Sequence, residues 1–276
     1  MMHLSAFADE ISADLEGQVT VLRQENIGHV ELRSMWRTNV LDLDDAQITR
    51  IRQAFGAAGI RVSAIGSPIG KVAIDSPFET HLAKFERALQ LAQQFETPFI
   101  RIFSFYPAGK PEADGHGFRE AVLERLGVLT ARARDAGITL LHENEKGIYG
   151  DTIDRCVDLL TSLHDPHFAA ILDPANFIQC GQIPYPDGYV ALKPWLRYLH
   201  VKDALADGTV VAAGEGVGQW PALLTTLRDA GYEGFLSLEP HLEAAGRFGG
   251  FSGPERFHHA AQALQNLLRS LDWAFA

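Results

Sequence analysis

Short apolar runs of strand character recur along the chain, beginning near His3, Gly28, Arg61, Phe99, Thr139, Phe168, Arg197 and Gly234. Each is followed by a turn-rich loop and then by a stretch whose apolar residues recur at helical spacing. The runs start about 25 to 40 residues apart, enough for one strand and one returning helix, so each repeat reads as a βα unit. Glycine punctuates the helix ends: Ala58-Gly59-Ile60, Ala136-Gly137-Ile138 and Ala230-Gly231-Tyr232 put it where a helix needs a left-handed residue before the next strand. Asp44-Asp45, Pro221 and Ser252-Gly253-Pro254-Glu255 mark helix starts. Eight such units predict an α/β protein, a single (β/α)8 TIM barrel spanning residues 1–276. The other arrangement with this alternation is an open doubly wound sheet. Its dinucleotide-binding form needs G-x-G-x-x-G in the first turn, and Phe7-Ala8-Asp9-Glu10-Ile11-Ser12 contains no glycine.

Ionisable residues end four consecutive, otherwise apolar strands. Strand five runs into Glu143, strand six into Asp173, strand seven into His200 and strand eight into Glu239, so all four fall on the C-terminal rim where such barrels carry their chemistry. Taken singly, Asp173 could equally cap a helix, Glu143 sit in an ion pair and His200 pack in the barrel mouth. Taken together, three carboxylates converging without a cation would repel, and one divalent metal ion accounts for the set. Three oxygen donors and one nitrogen suit Mn²⁺, Mg²⁺, Co²⁺, Fe²⁺ or Zn²⁺. Strand alternation then places Lys202 on the same side as His200 and turns His142 toward the helices, where a structural role is expected. Lys202 is a candidate substrate-binding cation, with a solvated loop lysine as the alternative. His29, Glu31 and Arg33 share one face of strand two, and Arg101 near the end of strand four faces the pocket by the same parity; ion pairs inside the barrel are the alternative for each. Ser67-Pro68-Ile69-Gly70-Lys71 lies at the same rim as a loop able to close over a substrate, which adds Lys71.

Composition narrows the classes. The chain is 46% apolar, with 24 Lys+Arg against 35 Asp+Glu for a net charge of −11, so it has a core to bury and no bulk positive charge for nucleic acid or an anionic membrane. The start lacks a basic and apolar leader, no apolar run reaches membrane-spanning length, and a cytoplasmic protein is expected. Cys156 and Cys180 form neither a disulfide framework nor a cysteine zinc motif. Oligomeric state is left open, with a homo-oligomer among the options.

In order, Leu141-His142-Glu143-Asn144, Leu172-Asp173-Pro174-Ala175-Asn176-Phe177, Leu199-His200-Val201-Lys202-Asp203 with Gly214-Glu215-Gly216-Val217-Gly218-Gln219-Trp220, and Leu238-Glu239-Pro240-His241 resemble the signatures of the xylose isomerase-like TIM-barrel superfamily, the sugar phosphate isomerase/epimerase group. The resemblance runs from Phe7-Ala8-Asp9-Glu10 to the last helix; it is specific for fold and metal site and only weakly so for substrate. It implies that Glu143, Asp173, His200 and Glu239 bind one divalent ion and that Glu143 and Glu239 exchange protons with a substrate carbon. Related ketose epimerases carry histidine three residues after the aspartate, where Asn176 stands, and an arginine after the strand-seven histidine, a neighbourhood held here by Lys202 or Glu215. Hydroxyl recognition through Asn176, Lys202 and Glu215 is therefore expected to differ.

The chemistry implied is proton removal α to a carbonyl through an enediolate. Return of the proton to the opposite face is epimerisation, return to the neighbouring carbon is aldose-ketose isomerisation, and loss of a β-hydroxyl is dehydration. The leading expectation is an isomerase or epimerase of a carbohydrate-like small molecule. Alternatives are a lyase that dehydrates an inosose or dehydroshikimate-like ketone, and a noncatalytic sugar-binding or partner subunit. An endonuclease of the same superfamily would need further histidines and a basic surface. The glycines of 214–218 do not form a dinucleotide fingerprint; a flexible loop is expected there, with phosphate binding by its amides as the alternative. His258-His259 and His164-Asp165-Pro166-His167 read as surface helix and loop.

Overall fold

Each of the eight barrel strands starts within one residue of its expected position: β1 (His3–Ala6), β2 (His29–Leu32), β3 (Arg61–Ile65), β4 (Phe99–Ile102), β5 (Thr139–Glu143), β6 (Phe168–Leu172), β7 (Leu196–Val201) and β8 (Phe235–Leu238). They are seen in a computed structural model, which describes residues 2–108, 116–246 and 249–276. All pairs are parallel, neighbours in sequence are neighbours in space, and β8 closes on β1 with Phe235 beside His3 and Leu238 beside Ala6. The fold is an α/β TIM barrel. Its returning helices are α1 (Leu15–Gln24), α2 (Asp45–Ala58), α3 (Phe78–Gln94), α4 (His116–Asp135), α5 (Ile153–Leu163), α6 (Pro174–Gln179), α7 (Tyr189–Leu192), α8 (Trp220–Asp229) and α9 (Gly253–Ser270). Among the described residues, no helix is long and apolar enough to cross a membrane.

The local signals act as expected. Asp44 caps α2 in a reciprocal box with Gln47, and the glycines after α2, α4 and α8 take φ of 72°, 71° and 68°, a conformation that costs other residues a Cβ clash. One unit departs from the expected strand-plus-helix plan. Between β6 and β7 the chain returns through the short α6 and α7, because Pro184 and Pro186 lack the N–H a continuous helix would need.

Two apolar layers follow from strand alternation. Outward residues such as Leu4, Val30, Ile100, Leu140, Leu199 and Leu236 pack under Leu22, Phe55, Phe85, Leu126 and Leu264 of the helices. Inward, Ala64, Leu141, Ala169, Ile171 and Tyr198 fill the barrel. The Tyr198 hydroxyl is held by Ser63 at 2.8 Å, and Ser63 by Ser5 at 2.6 Å. This plug sets the floor of the site: the next inward residues along β5, β6, β7 and β8 are Glu143, Asp173, His200 and Glu239.

Candidate metal centre and active site

Glu143, Asp173, His200 and Glu239 are all buried, and each offers a donor atom within 4.8 Å of the others. His200 Nδ1 lies 3.1 Å from Glu143 Oε1, 3.6 Å from Glu239 Oε2 and 4.0 Å from Asp173 Oδ2. Asp173 serves two purposes: Oδ1 accepts the Asn176 N–H to cap α6, while Oδ2 faces the cluster. The side chain of Asn144 fixes its backbone, donating to the Asp173 carbonyl at 2.9 Å and accepting the Asp173 N–H at 2.8 Å, so the ends of β5 and β6 are stitched together. Asn176 in turn donates to Glu143 Oε1 at 3.1 Å and to the Asn144 carbonyl at 2.9 Å.

Positive charge surrounds these acids. Lys202 Nζ is 2.8 Å from Asp173 Oδ2 and 3.0 Å from Glu239 Oε2. Arg101 reaches Glu143 Oε2 at 3.1 Å and Glu239 Oε1 at 3.7 Å, and Arg33 reaches Glu239 Oε1 at 2.9 Å and Asp9 at 2.8 Å. Both guanidinium groups lie on the Phe7 ring, 4.5 and 4.8 Å from its centroid. Burial opposes ionisation of Glu143, but His200 and Arg101 overcome it and bring its pKa down to about 2. Glu239 lies well below the ordinary range: burial raises it, and Lys202, His241 and His200 outweigh that. For Asp173 burial prevails over Lys202 and raises it to about 6, helped by Glu143 and Glu239. Burial lowers His200, yet Glu143 and Glu31 carry it up to about 10.

The donor set fits a divalent ion. His200 Nδ1 is buried without a hydrogen-bond partner among the described residues and faces the carboxylate oxygens of Glu143, Glu239 and Asp173, so a cation among these donors would meet its lone pair. Three carboxylates and an imidazole are hard to borderline ligands of the kind such ions take.

Lys202, Arg101 and Asn176 thus join the four strand-end residues. Glu31 and Arg33 do so too, whereas His29, on the same face of β2, lies lower in the barrel against His3 and Phe235. Lys71 is at the rim, paired with Glu145 at 2.8 Å and 4.2 Å above the Phe103 ring. Two expectations need correction. Glu215 is turned to α9, where it meets His259 at 2.8 Å, because loop 214–218 is wrapped around Asp203. The N–H groups of Gly214, Gly216 and Gly218 all donate to the Asp203 carboxylate at 2.9–3.0 Å, so the segment is pinned, and its amides already hold an anion of the chain itself. The 67–71 segment packs against the residues after β4, as a tight loop would: Ile69 and Gly70 carbonyls accept from Phe103 and Phe105, and a Cβ on Gly70 would stand 2.0 Å from the Phe103 oxygen. His142 lies outside the cluster, bonded to Ser104 at 3.0 Å.

Sequence reasoning passed over Glu10 and His241. His241 Nε2 lies 3.1 Å from Glu10 Oε1 and 3.4 Å from Glu239 Oε1, while Glu10 Oε2 accepts the His241 N–H and the Ser252 hydroxyl. The available signal was position: Asp9-Glu10 lie three and four residues past the end of β1, as His241 lies three past β8.

A family model described as xylose isomerase-like TIM barrel matches residues 20–271, and the chain belongs to that family. No curated protein matches the sequence significantly. Among solved structures, a probable 3-DHS dehydratase AsbF involved in petrobactin synthesis from Bacillus anthracis is 18% identical with a TM-score of 0.76, covering 96% of this chain and 99% of that one. D-psicose 3-epimerase from Clostridium cellulolyticum H10, seen with D-tagatose, is 15% identical with a TM-score of 0.73, covering 98% and 99%. A xylose isomerase-like TIM barrel protein from Mycobacterium smegmatis, in complex with magnesium, is 18% identical with a TM-score of 0.71, covering 97% of each chain. At these identities the likeness establishes the barrel they share.

Proposed function

We propose that the protein is a divalent-metal-dependent isomerase or epimerase that moves a proton α to the carbonyl of a sugar or sugar-like ketone. The observation that carries this reading is the meeting of Glu143 and Glu239, from β5 and β8, with Asp173 and His200 inside one 4.8 Å cluster. A divalent ion held by these four would supply stabilisation of negative charge on the carbonyl and neighbouring hydroxyl oxygens. Glu143, kept ionised by His200 and Arg101, and Glu239, kept ionised by Lys202 and Arg33, are two carboxylate bases at separate places on the rim. One takes the proton from carbon and the other returns one, to the opposite face or to the adjacent carbon. Lys202, Arg101 and Asn176 hold those carboxylates in place and offer donors toward substrate oxygens. The barrel plug beneath them closes the site to water from below.

A dehydratase is the second reading, supported by the likeness to the probable 3-DHS dehydratase over nearly the whole of both chains. It uses the same proton abstraction followed by loss of a β-hydroxyl. Ketoses, inososes and keto acids incubated in D2O with protein loaded with Mn²⁺, followed by NMR, separate the cases. Deuterium at a carbon next to a carbonyl with a new stereoisomer supports the first reading. A new alkene supports the second, and sugar binding without exchange points to a noncatalytic subunit.

A further inference from the structure

Two buried acids, Glu10 and Glu31, border the site outside the four-residue donor set, and Glu31 is the one that meets His200. Glu31, on β2, is fully buried, and its Oε2 lies 3.0 Å from His200 Nε2, across the barrel on β7. Its other oxygen, Oε1, has no hydrogen-bond partner among the described residues, and Arg101 Nε stands 3.7 Å away. A carboxylate so poorly supplied with donors is expensive in the interior, and a glutamine of the same shape would fill the space without the charge. What Glu31 does have is a fixed relation to one nitrogen of one imidazole.

We infer that Glu31 is a positioning residue that takes the Nε2 proton of His200 in a hydrogen bond and thereby presents Nδ1, with its lone pair, to Glu143, Asp173 and Glu239. The inference rests on the reading that these four residues bind a divalent ion. The ring is held by Phe7 and Tyr198, whose planes meet it nearly edge-on at centroid distances of 5.1 and 5.9 Å. Within that slot the alternative is a half-turn of the ring, which would set a carbon against Glu31 and another against the carboxylates. The Glu31 bond excludes this, and because a carboxylate only accepts, it also selects the tautomer. Glu31 meets the donor set by hydrogen bond through His200 and more distantly through Arg101, so its effect on the site is one of orientation.

The test is ¹⁵N-histidine NMR of the Zn²⁺-loaded protein, with Mn²⁺ titrations of wild type, Glu31→Gln and Glu31→Leu. The expected result is a proton on His200 Nε2 and none on Nδ1 in the loaded wild type. Glu31→Leu should weaken Mn²⁺ binding by about 10- to 100-fold, as loss of a ligand's supporting partner does, and Glu31→Gln, which keeps an acceptor oxygen, by less. Urea unfolding of the metal-free variants reports packing separately, and the affinity loss should not track it. A proton on Nδ1 in the loaded wild type, or an unchanged Mn²⁺ affinity in Glu31→Leu, would overturn the inference while leaving the metal site standing. Failure of the wild type to bind either ion would overturn the metal site and the inference together.

Discussion

Lys202 is the residue on which the charge balance of the site turns. Its ammonium sits between Asp173 and Glu239, and with both partners so close its pKa rises well above that of a free lysine despite burial. Lys202→Met therefore should cost the metal-free protein about 3–5 kcal/mol, the range for breaking a buried ion pair from one side. Added Mn²⁺ should stabilise the variant more than the wild type, because the acids it neutralises have lost their own cation. Thermal unfolding with and without Mn²⁺ measures both effects; equal stability of the two metal-free proteins would show that Lys202 does not hold the acids. At this scale much was legible. Their place at the ends of β5 to β8 was enough to bring Glu143, Asp173, His200 and Glu239 to one rim, and parity along β7 added Lys202 beside His200, since an inward residue fixes the direction of those two positions away. Glu10 and His241 were not legible in that way. They lie past the ends of β1 and β8, where strand parity stops and side-chain direction depends on the turn; His241 has φ of 48°.

Loops were read less well than strands, and Asp203 shows the reason. The spacing of glycines in 214–218 suggested mobility, yet the same N–H groups converge on one buried carboxylate fixed at the end of β7, a partner eleven or more residues away that local pattern does not reveal. Asp203 also accepts the Ala204 N–H at 2.8 Å, which makes four backbone donors on two oxygens. An Asp203→Asn amide keeps one acceptor oxygen and turns its NH2 group toward N–H donors. The variant should lose about 2–4 kcal/mol of stability, from charged hydrogen bonds lost and donors left unmet. Hydrogen exchange should accelerate at Gly214, Gly216 and Gly218; unchanged protection there would mean that the loop holds itself. Helix boundaries were easier to read because their signals are local: the Asp44 cap and the glycines after α2, α4 and α8 act within one turn.

For the molecule as a whole, buried histidines link stability to pH. Burial lowers His29, His81 and His142 to about 4 each. His81 also accepts the Gly70 N–H at 3.0 Å, a bond available only to the neutral ring. The unfolded chain binds these protons near pH 6.5 and the folded chain does not until about pH 4, so their effect is to destabilise the fold as pH falls across that window. The urea midpoint of the metal-free protein should drop between pH 6.5 and 4, and less steeply in His81→Gln, which keeps an acceptor without a basic nitrogen. Identical slopes would show that His81 is not a linked group.

The central claim is that Glu143 and Glu239 move protons at the metal site. It is tested most directly by following deuterium from D2O into a single-stereoisomer substrate, with metal content measured for wild type, Glu143→Gln and Glu239→Gln. Each glutamine keeps the shape and one oxygen donor but loses the basic carboxylate. The account predicts that net turnover falls by about a hundredfold or more in each variant with the ion still bound, and that one of them still washes deuterium into one stereoisomer without forming the other. Normal turnover in either variant, with its metal in place, would contradict it.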